Sequence, residues 1–457
     1  MYNFAKWTEK IPELEIGGFS PYSPKFSFTA GRPGVLAIKT LGEILGNISE
    51  ELSAETQKNG EFSSNWLFDY GPTEGLPEFR QILAARLRNN DNVTLDSNDG
   101  WKNVIITSGL QQTIYALLDV LTNPGDLVIV TRPTYVGFLG PATKLGVELI
   151  SVPSDEEGMI PEAVEKACEL CRRHLRQIPK MLYVIPYFDN PQGTTLSSRR
   201  KQSLYDIAVE WDLLIAEDMA YKEIRFNRSV DLHPIKELDK DNSRVAYLST
   251  TSKETGSLRL GYSVIPTPIQ EQIVKLKGYF DLCSPSLNQT IAKIFYEKHI
   301  DNVLPKVVTH YQKRAETMKK AIDASFPEGT RTDPDGGFFI WFDVAERDFD
   351  TKKFYKTASK NDVLFVPGYA FYPSSGYAVS DDCSQLLPQI QKNNGLRLCY
   401  SFSTEDEIKK GINYLGSLLT QALSKDELTT AERYYRRSLR KDQLDHGKYR
   451  SPWLIAV

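Results

Sequence analysis

Four short segments hold the polar residues with the greatest chemical reach. Ser108-Gly109-Leu110-Gln111 follows an apolar, β-branched run and opens a helical stretch. Such a turn leaves backbone N–H groups free at the positive end of a helix dipole, which suits a phosphate. Asn190-Pro191-Gln192-Gly193 is a turn behind a second apolar run. Asp218 ends a third, with Tyr221 three residues on. An acid at a buried strand end needs a partner, and a ligand cation can be that partner. Thr250-Thr251-Ser252-Lys253 ends a fourth run, with Arg259 six residues further along. Hydroxyls, a guanidinium and an amine gathered there can bind a phosphate and supply a nucleophile.

The elements that must position these groups alternate in type. Residues 104–107, 127–130, 181–186, 213–217, 245–249 and 260–265 are short apolar runs of strand length. Ile114, Leu117, Leu118 and Leu121 mark one face of a helix between two of them, and Leu204, Ile207, Ala208 and Trp211 mark another. Continuous apolar strands alternating with amphipathic helices predict an α/β fold with a mainly parallel sheet covered on both sides. In such a sheet, ligands bind beyond the carboxyl ends of the strands, where all four segments fall.

This alternation spans about 66–304, the expected large domain. Residues 1–65 lack it. Residues 305–423 show a long helical pattern and then Gly336-Gly337-Phe338-Phe339-Ile340-Trp341, read as a strand entered through a glycine turn. Both flanks are expected to build a smaller α+β domain. Residues 424–457 are polar and somewhat basic, and are expected to form a solvated helix packed on the domain or on a partner subunit.

Composition excludes several classes. The 457 residues are 41% hydrophobic and 25% charged, ordinary for a soluble globular protein. A net charge of −4 argues against a nucleic-acid binder. The N-terminus lacks the apolar core of a secretory signal and no window suits a membrane span, so a cytoplasmic protein is expected. Five scattered cysteines fit reduced thiols. Cys168-x-x-Cys171 near His174 lacks a second ligand pair and reads as an ordinary helix surface; no metal site is expected. Phosphate-loop, dinucleotide and nucleophile-elbow motifs are absent.

Taken in order, the set fits pyridoxal phosphate chemistry: a lysine that forms an imine with the cofactor aldehyde, and a carboxylate that keeps the pyridine nitrogen protonated so the ring accepts electrons. The chain resembles the class I/II aminotransferases of the fold-type I pyridoxal-phosphate enzymes, on the aminoadipate and kynurenine aminotransferase side. The resemblance runs from about Phe28 to Leu419. It rests on Tyr70-Gly71-Pro72-Thr73-Glu74-Gly75, Thr107-Ser108-Gly109, Pro133-Thr134-Tyr135, Asn190-Pro191-Gln192-Gly193, Glu217-Asp218-Met219-Ala220-Tyr221, Ser252-Lys253, Arg259-Leu260-Gly261-Tyr262 and Gly395-Leu396-Arg397-Leu398.

That resemblance implies a seven-stranded, mainly parallel sheet sandwiched by helices, pyridoxal 5′-phosphate as cofactor, and transamination between an α-amino acid and a 2-oxo acid. Lys253 would bond the cofactor aldehyde and then shuttle the Cα proton. Asp218 would pair with the pyridine nitrogen, Asn190 and Tyr221 would hydrogen-bond the phenolic oxygen, and Tyr135 would stack on the ring. Ser108, Gly109, Leu110, Gln111, Thr250, Ser252 and Arg259 would hold the phosphate. Tyr70 would reach the neighbouring subunit's phosphate, implying a homodimer. Arg397 would grip the substrate carboxylate as a bidentate fork, with Asn190, Gly31 and Arg32 beside the substrate. Arg32 and Arg132 are candidate selectors of the substrate side chain.

The sequence also departs from this pattern. Leu110 stands where a hydroxyl residue is usual, and Thr250 replaces a common Ser. Gln192 replaces a Thr, and the loop 254–258 is one residue short and lacks its Pro. These departures keep a second reading open: other chemistry on the same scaffold, such as β- or γ-elimination or replacement, cyclisation from a sulfonium amino acid such as S-adenosylmethionine, or oxygen-dependent oxidation.

Overall fold

The computed structural model describes residues 5–10, 24–33, 37–59, 66–95 and 99–424. The expected tail helix lies outside these residues, save for residue 424. In chain order the strands are β1 (Phe26–Ser27), β2 (Val104–Thr107), β3 (Leu127–Arg132), β4 (Glu148–Asp155), β5 (Gly158–Met159), β6 (Met181–Val184), β7 (Leu214–Asp218), β8 (Val245–Thr250), β9 (Gly261–Val264), β10 (Gly329–Arg331), β11 (Phe339–Val344), β12 (Val363–Leu364), β13 (Val366–Pro367), β14 (Tyr377–Val379), β15 (Leu386–Pro388) and β16 (Gly395–Cys399). The helices are α1 (Ile38–Asn59), α2 (Pro77–Asp91), α3 (Leu110–Leu121), α4 (Val136–Leu145), α5 (Pro161–His174), α6 (Ser198–Trp211), α7 (Thr267–Phe280), α8 (Ser286–Lys298), α9 (Ile300–Ser325) and α10 (Thr351–Lys360).

The large sheet runs in the order β15-β14-β4-β3-β6-β7-β8-β9-β2, with β5 hairpinned onto β4. Its seven central strands, β4 to β2, are parallel except β9, which is antiparallel to both neighbours. Because β9 is reversed between β8 and β2, the carboxyl ends of β2, β6, β7 and β8 share one edge. That is where the site forms.

Alternation along the strands explains the two layers of helices. Leu182 and Val184 of β6 pack with Ile215 of β7 under Cys168 and Cys171 of α5 and Leu204 and Ala208 of α6. Met181 and Tyr183 face the other way, toward Leu117 of α3 and Phe138 of α4. Cys168 and Cys171 are therefore fully buried core residues rather than helix surface, and burial pushes both thiols up to about 12.

A four-stranded antiparallel sheet, β10-β11-β16-β13, lies beside the large one, and β1 pairs with β12 near the other end of the chain. The chain does not stay within the second sheet: between β13 and β16 it sends out β14, which pairs in parallel with β4 of the large sheet. Among the described residues no helix is long and apolar enough to cross a membrane.

Candidate active site

A cleft of about 460 Å³ opens at the shared strand edge, lined by Leu110, Gln111, Tyr135, Asp218, Tyr221, Thr250, Ser252, Lys253 and Arg259 among others. Asp218 is the last residue of β7 and almost wholly buried. Its Oδ2 accepts the Tyr183 hydroxyl at 2.7 Å and its Oδ1 accepts the Ala220 N–H at 3.0 Å. Tyr183, on the adjacent β6, is fixed by a ring stacked on Phe138 with centroids 4.0 Å apart. Burial pushes the Asp218 carboxyl up, while the Tyr183 hydroxyl, the Ala220 N–H and the Lys253 charge pull it back. Each oxygen keeps acceptor capacity for a cationic N–H.

Lys253 sits in the turn after β8, half-buried. Its Nζ lies 4.6 Å from the Tyr221 ring centroid and 5.7 Å from that of Phe338. It makes no hydrogen bond or ion pair with any described residue. Burial lowers its pKa to about 8, against the opposing pull of Asp218 and Glu254. An amine so placed is neutral, and hence nucleophilic, in an appreciable fraction near neutral pH. Tyr221 is itself clamped edge-on between Phe338 and Phe339, and burial raises its phenol well above the usual range.

At the other end of the cleft the structure builds an anion cradle. Thr250 Oγ1 donates to Ser252 Oγ at 2.9 Å, and Arg259 Nη1 donates to the same oxygen at 3.1 Å. The N-terminus of α3 has no side-chain cap. Gly109, with φ of 89°, lets that terminus approach Arg259: a Cβ there would lie 2.9 Å from Nη2. Gly261 does the same from β9, since its Cβ would sit 2.7 Å from the Leu110 nitrogen. Uncapped N–H groups, two hydroxyls and a guanidinium converge on one point, as a phosphate requires.

Arg397, on β16 of the second sheet, is 1% exposed and has no carboxylate partner among the described residues. Nη1 donates to Asn190 Oδ1 at 2.9 Å and Nη2 to the Thr29 carbonyl, while Nε has no hydrogen-bond partner among the described residues. The guanidinium lies 4.4 Å from the Phe339 ring centroid and 5.0 Å from that of Phe371. A dehydrated guanidinium with an idle N–H calls for an anion, and a ligand carboxylate fits.

The remaining candidates are placed differently. Ser108 does not line the cleft: its Oγ donates to Asp281 Oδ2 at 2.6 Å. Leu110 offers the cleft only its backbone and an apolar wall. Gln111 bonds the Gly137 carbonyl through Nε2 and accepts the Tyr135 hydroxyl at 3.4 Å, so it orients Tyr135 at the start of α4. Gly31 packs on the Phe339 ring, whereas Arg32 is exposed with its guanidinium stacked over Phe402, 3.8 Å from the centroid. Tyr70 is 78% exposed and outside the cleft. Arg132, expected as a side-chain selector, is turned away: its buried guanidinium donates to the Val379 carbonyl and pairs with Asp381, tying β3 to β14.

Tyr183, Phe339 and Phe371 support the site without having been singled out in the sequence. Only Tyr183 left a trace there, as a polar tip in a wholly apolar strand. Glu254 also escaped notice as an acid directly beside Lys253.

Comparisons with known proteins agree with this arrangement. The profile of the family described as aminotransferase class I and II matches residues 41–415. The aromatic-amino-acid aminotransferase 1 of Thermococcus litoralis is 28% identical, over 86% of this chain and 87% of its own. The mitochondrial kynurenine/alpha-aminoadipate aminotransferase of Rattus norvegicus is 29% identical, over 70% of this chain and 79% of its own. Among solved structures, the Pyrococcus horikoshii kynurenine aminotransferase, in complex with PMP, superposes with a TM-score of 0.78 at 28% identity, covering 92% of this chain and 97% of that one. The chain belongs to the class I and II aminotransferase family. It has the fold-type I architecture, and the cradle, Asp218 and Lys253 fit the phosphate, ring nitrogen and aldehyde of pyridoxal 5′-phosphate.

Proposed function

We propose that the protein transfers an amino group from an α-amino acid to a 2-oxo acid. One observation carries this reading: the amine of Lys253, without a partner among the described residues, and the buried carboxylate of Asp218 line one cleft with the anion cradle, while the Arg397 guanidinium, with its idle N–H, acts on Tyr135 and Tyr221 of the same lining. Bound pyridoxal 5′-phosphate supplies an aldehyde that takes up amino groups and a ring that accepts electrons. Thr250, Ser252, Arg259 and the N-terminus of α3 bind its phosphate. Asp218, oriented by Tyr183, would hold a proton on the ring nitrogen, because a carboxylate beside a protonated nitrogen favours the charged form. Tyr135 would cover the ring, and Tyr221 and Asn190 would hydrogen-bond its phenolic oxygen. Arg397 would bind the substrate carboxylate and so orient the substrate's Cα, and Lys253 would take and return the proton at Cα.

The expected assembly is a homodimer in which Tyr70 of one copy reaches the phosphate of the other. Supporting this, Phe68, Tyr70, Tyr279 and Leu282 are all exposed, and the segments bearing them are joined: Ser286 Oγ donates to the Asp69 carbonyl and the Gly71 N–H to Cys283 Sγ. Burying such a patch against a second copy removes apolar area from water. The five free cysteines suit the reducing cytoplasm.

The test is a half-reaction without acceptor. Cofactor-loaded protein is mixed with aromatic amino acids, kynurenine and 2-aminoadipate, the substrates named for its relatives, and then with a wider panel. Loss of the cofactor's long-wavelength absorbance together with release of the matching 2-oxo acid is the expected outcome. Products that have lost a β or γ substituent, or consumption of oxygen, would sink transamination in favour of other chemistry at Cα.

A further inference from the structure

Glu254, the residue after Lys253, is 5% exposed, and its Oε2 has no hydrogen-bond partner among the described residues. The charged and titratable groups around it come from four other elements: Glu223 after β7, Arg86 on α2, Tyr262 on β9 and Tyr296 on α8. None of them neutralises it. Arg86 lies over the Tyr296 ring and pairs at 3.5 Å with Asp301 on the rim, and Glu223 carries the same charge as Glu254. The turn after β8 thus holds two consecutive titratable groups, the Lys253 amine and the Glu254 carboxyl with its idle Oε2, that no described side chain pairs with. An acid and a base on consecutive residues, both shielded from water, feel each other's charge without a hydrogen bond between them.

We propose that Glu254 is a positioning residue that acts through Lys253: the two titrate as a coupled pair, and the carboxyl governs how firmly the lysine nitrogen keeps its proton. The inference rests on Lys253 being the cofactor-bonding amine. Burial, and then the Glu223 charge, push the Glu254 carboxyl up to about 8, the same region to which burial lowers Lys253. As pH rises through that window Glu254 gains its negative charge, which favours the protonated nitrogen and delays its loss.

The test is a pH titration of the cofactor's visible absorbance in the loaded, full-length protein. Glu254→Gln removes the carboxylate, so the midpoint falls by about half a pH unit or more and the curve sharpens toward a single-proton transition. Glu254→Asp restores most of the wild-type curve. Glu223→Gln moves the midpoint the other way, because Glu254 then ionises at lower pH. Superimposable wild-type and Glu254→Gln curves overturn the proposal; if Glu254→Gln does not fold, an unmoved midpoint in Glu223→Gln overturns it. Borohydride reduction and peptide mass mapping of the wild type separate the two levels of failure. Cofactor fixed elsewhere than on Lys253 defeats the functional reading, whereas cofactor on Lys253 with unmoved curves defeats only this inference.

Discussion

At the scale of single residues, the site depends on charges kept out of water without full compensation. Arg397 leaves one N–H idle, Asp218 spends only two acceptor sites, and Lys253 spends no donor. Free capacity of this kind weakens the empty protein and is recovered when ligand binds. Arg397→Lys keeps the charge but loses the planar fork. Steady-state kinetics should show KM for the amino donor rising about ten- to a hundredfold, in line with the loss of about 1.5–3 kcal/mol per hydrogen bond to a charged group. Asp218→Asn keeps the shape and an acceptor for Tyr183 but loses the negative charge, so kcat should fall about a hundredfold or more while the protein still binds cofactor. An Asn variant with unchanged kcat would remove Asp218 from its assigned role.

At the scale of elements, close packing of β2, β9 and the start of α3 brings the helix terminus up to the hydroxyls and guanidinium supplied by β8 and the loop after it. Gly261 is the tightest point, with its missing Cβ 2.6 Å from Thr107 Oγ1 and 2.7 Å from the Leu110 nitrogen. Gly261→Ala should push the start of α3 away from Arg259 and raise the cofactor dissociation constant about tenfold, measured by equilibrium dialysis; losing one charged hydrogen bond has that size. An unchanged constant would show that the α3 terminus does not bind the phosphate.

These same elements show what the sequence could reveal. The apolar runs ending at Thr107, Asp218 and Thr250 were legible because strands buried on both faces read as continuous hydrophobic stretches, and the polar residues closing them stand out. The reversed direction of β9 left no mark, since parallel and antiparallel strands of this length share one pattern. β4 was obscured by its polar end and Pro153, and β14 by its distance: nothing in Tyr377–Val379 announces a partner more than two hundred residues earlier. Arg132 looked like a free selector because its carbonyl partner, Val379, lies on that same unannounced strand. Local patterns report burial well and long-range pairing poorly.

At the scale of the whole molecule, the cradle of one copy is expected to be finished by another. Sedimentation should give twice the chain mass, and Tyr70→Phe should loosen the cofactor about tenfold without altering that mass, the cost of one hydrogen bond to a charged group. A monomer with undiminished cofactor affinity would contradict the shared site. The pairing of β14 with β4 has a further consequence. The chain passes from the antiparallel sheet to the edge of the large sheet and back before it places Arg397, so the segment leading to this arginine is threaded through both sheets like a lace through two eyelets. That stitch ties the strand carrying Arg397 to the sheet whose strand ends form the cleft, so a change at the β14–β4 pairing should be felt at the Arg397–Asn190 hydrogen bond.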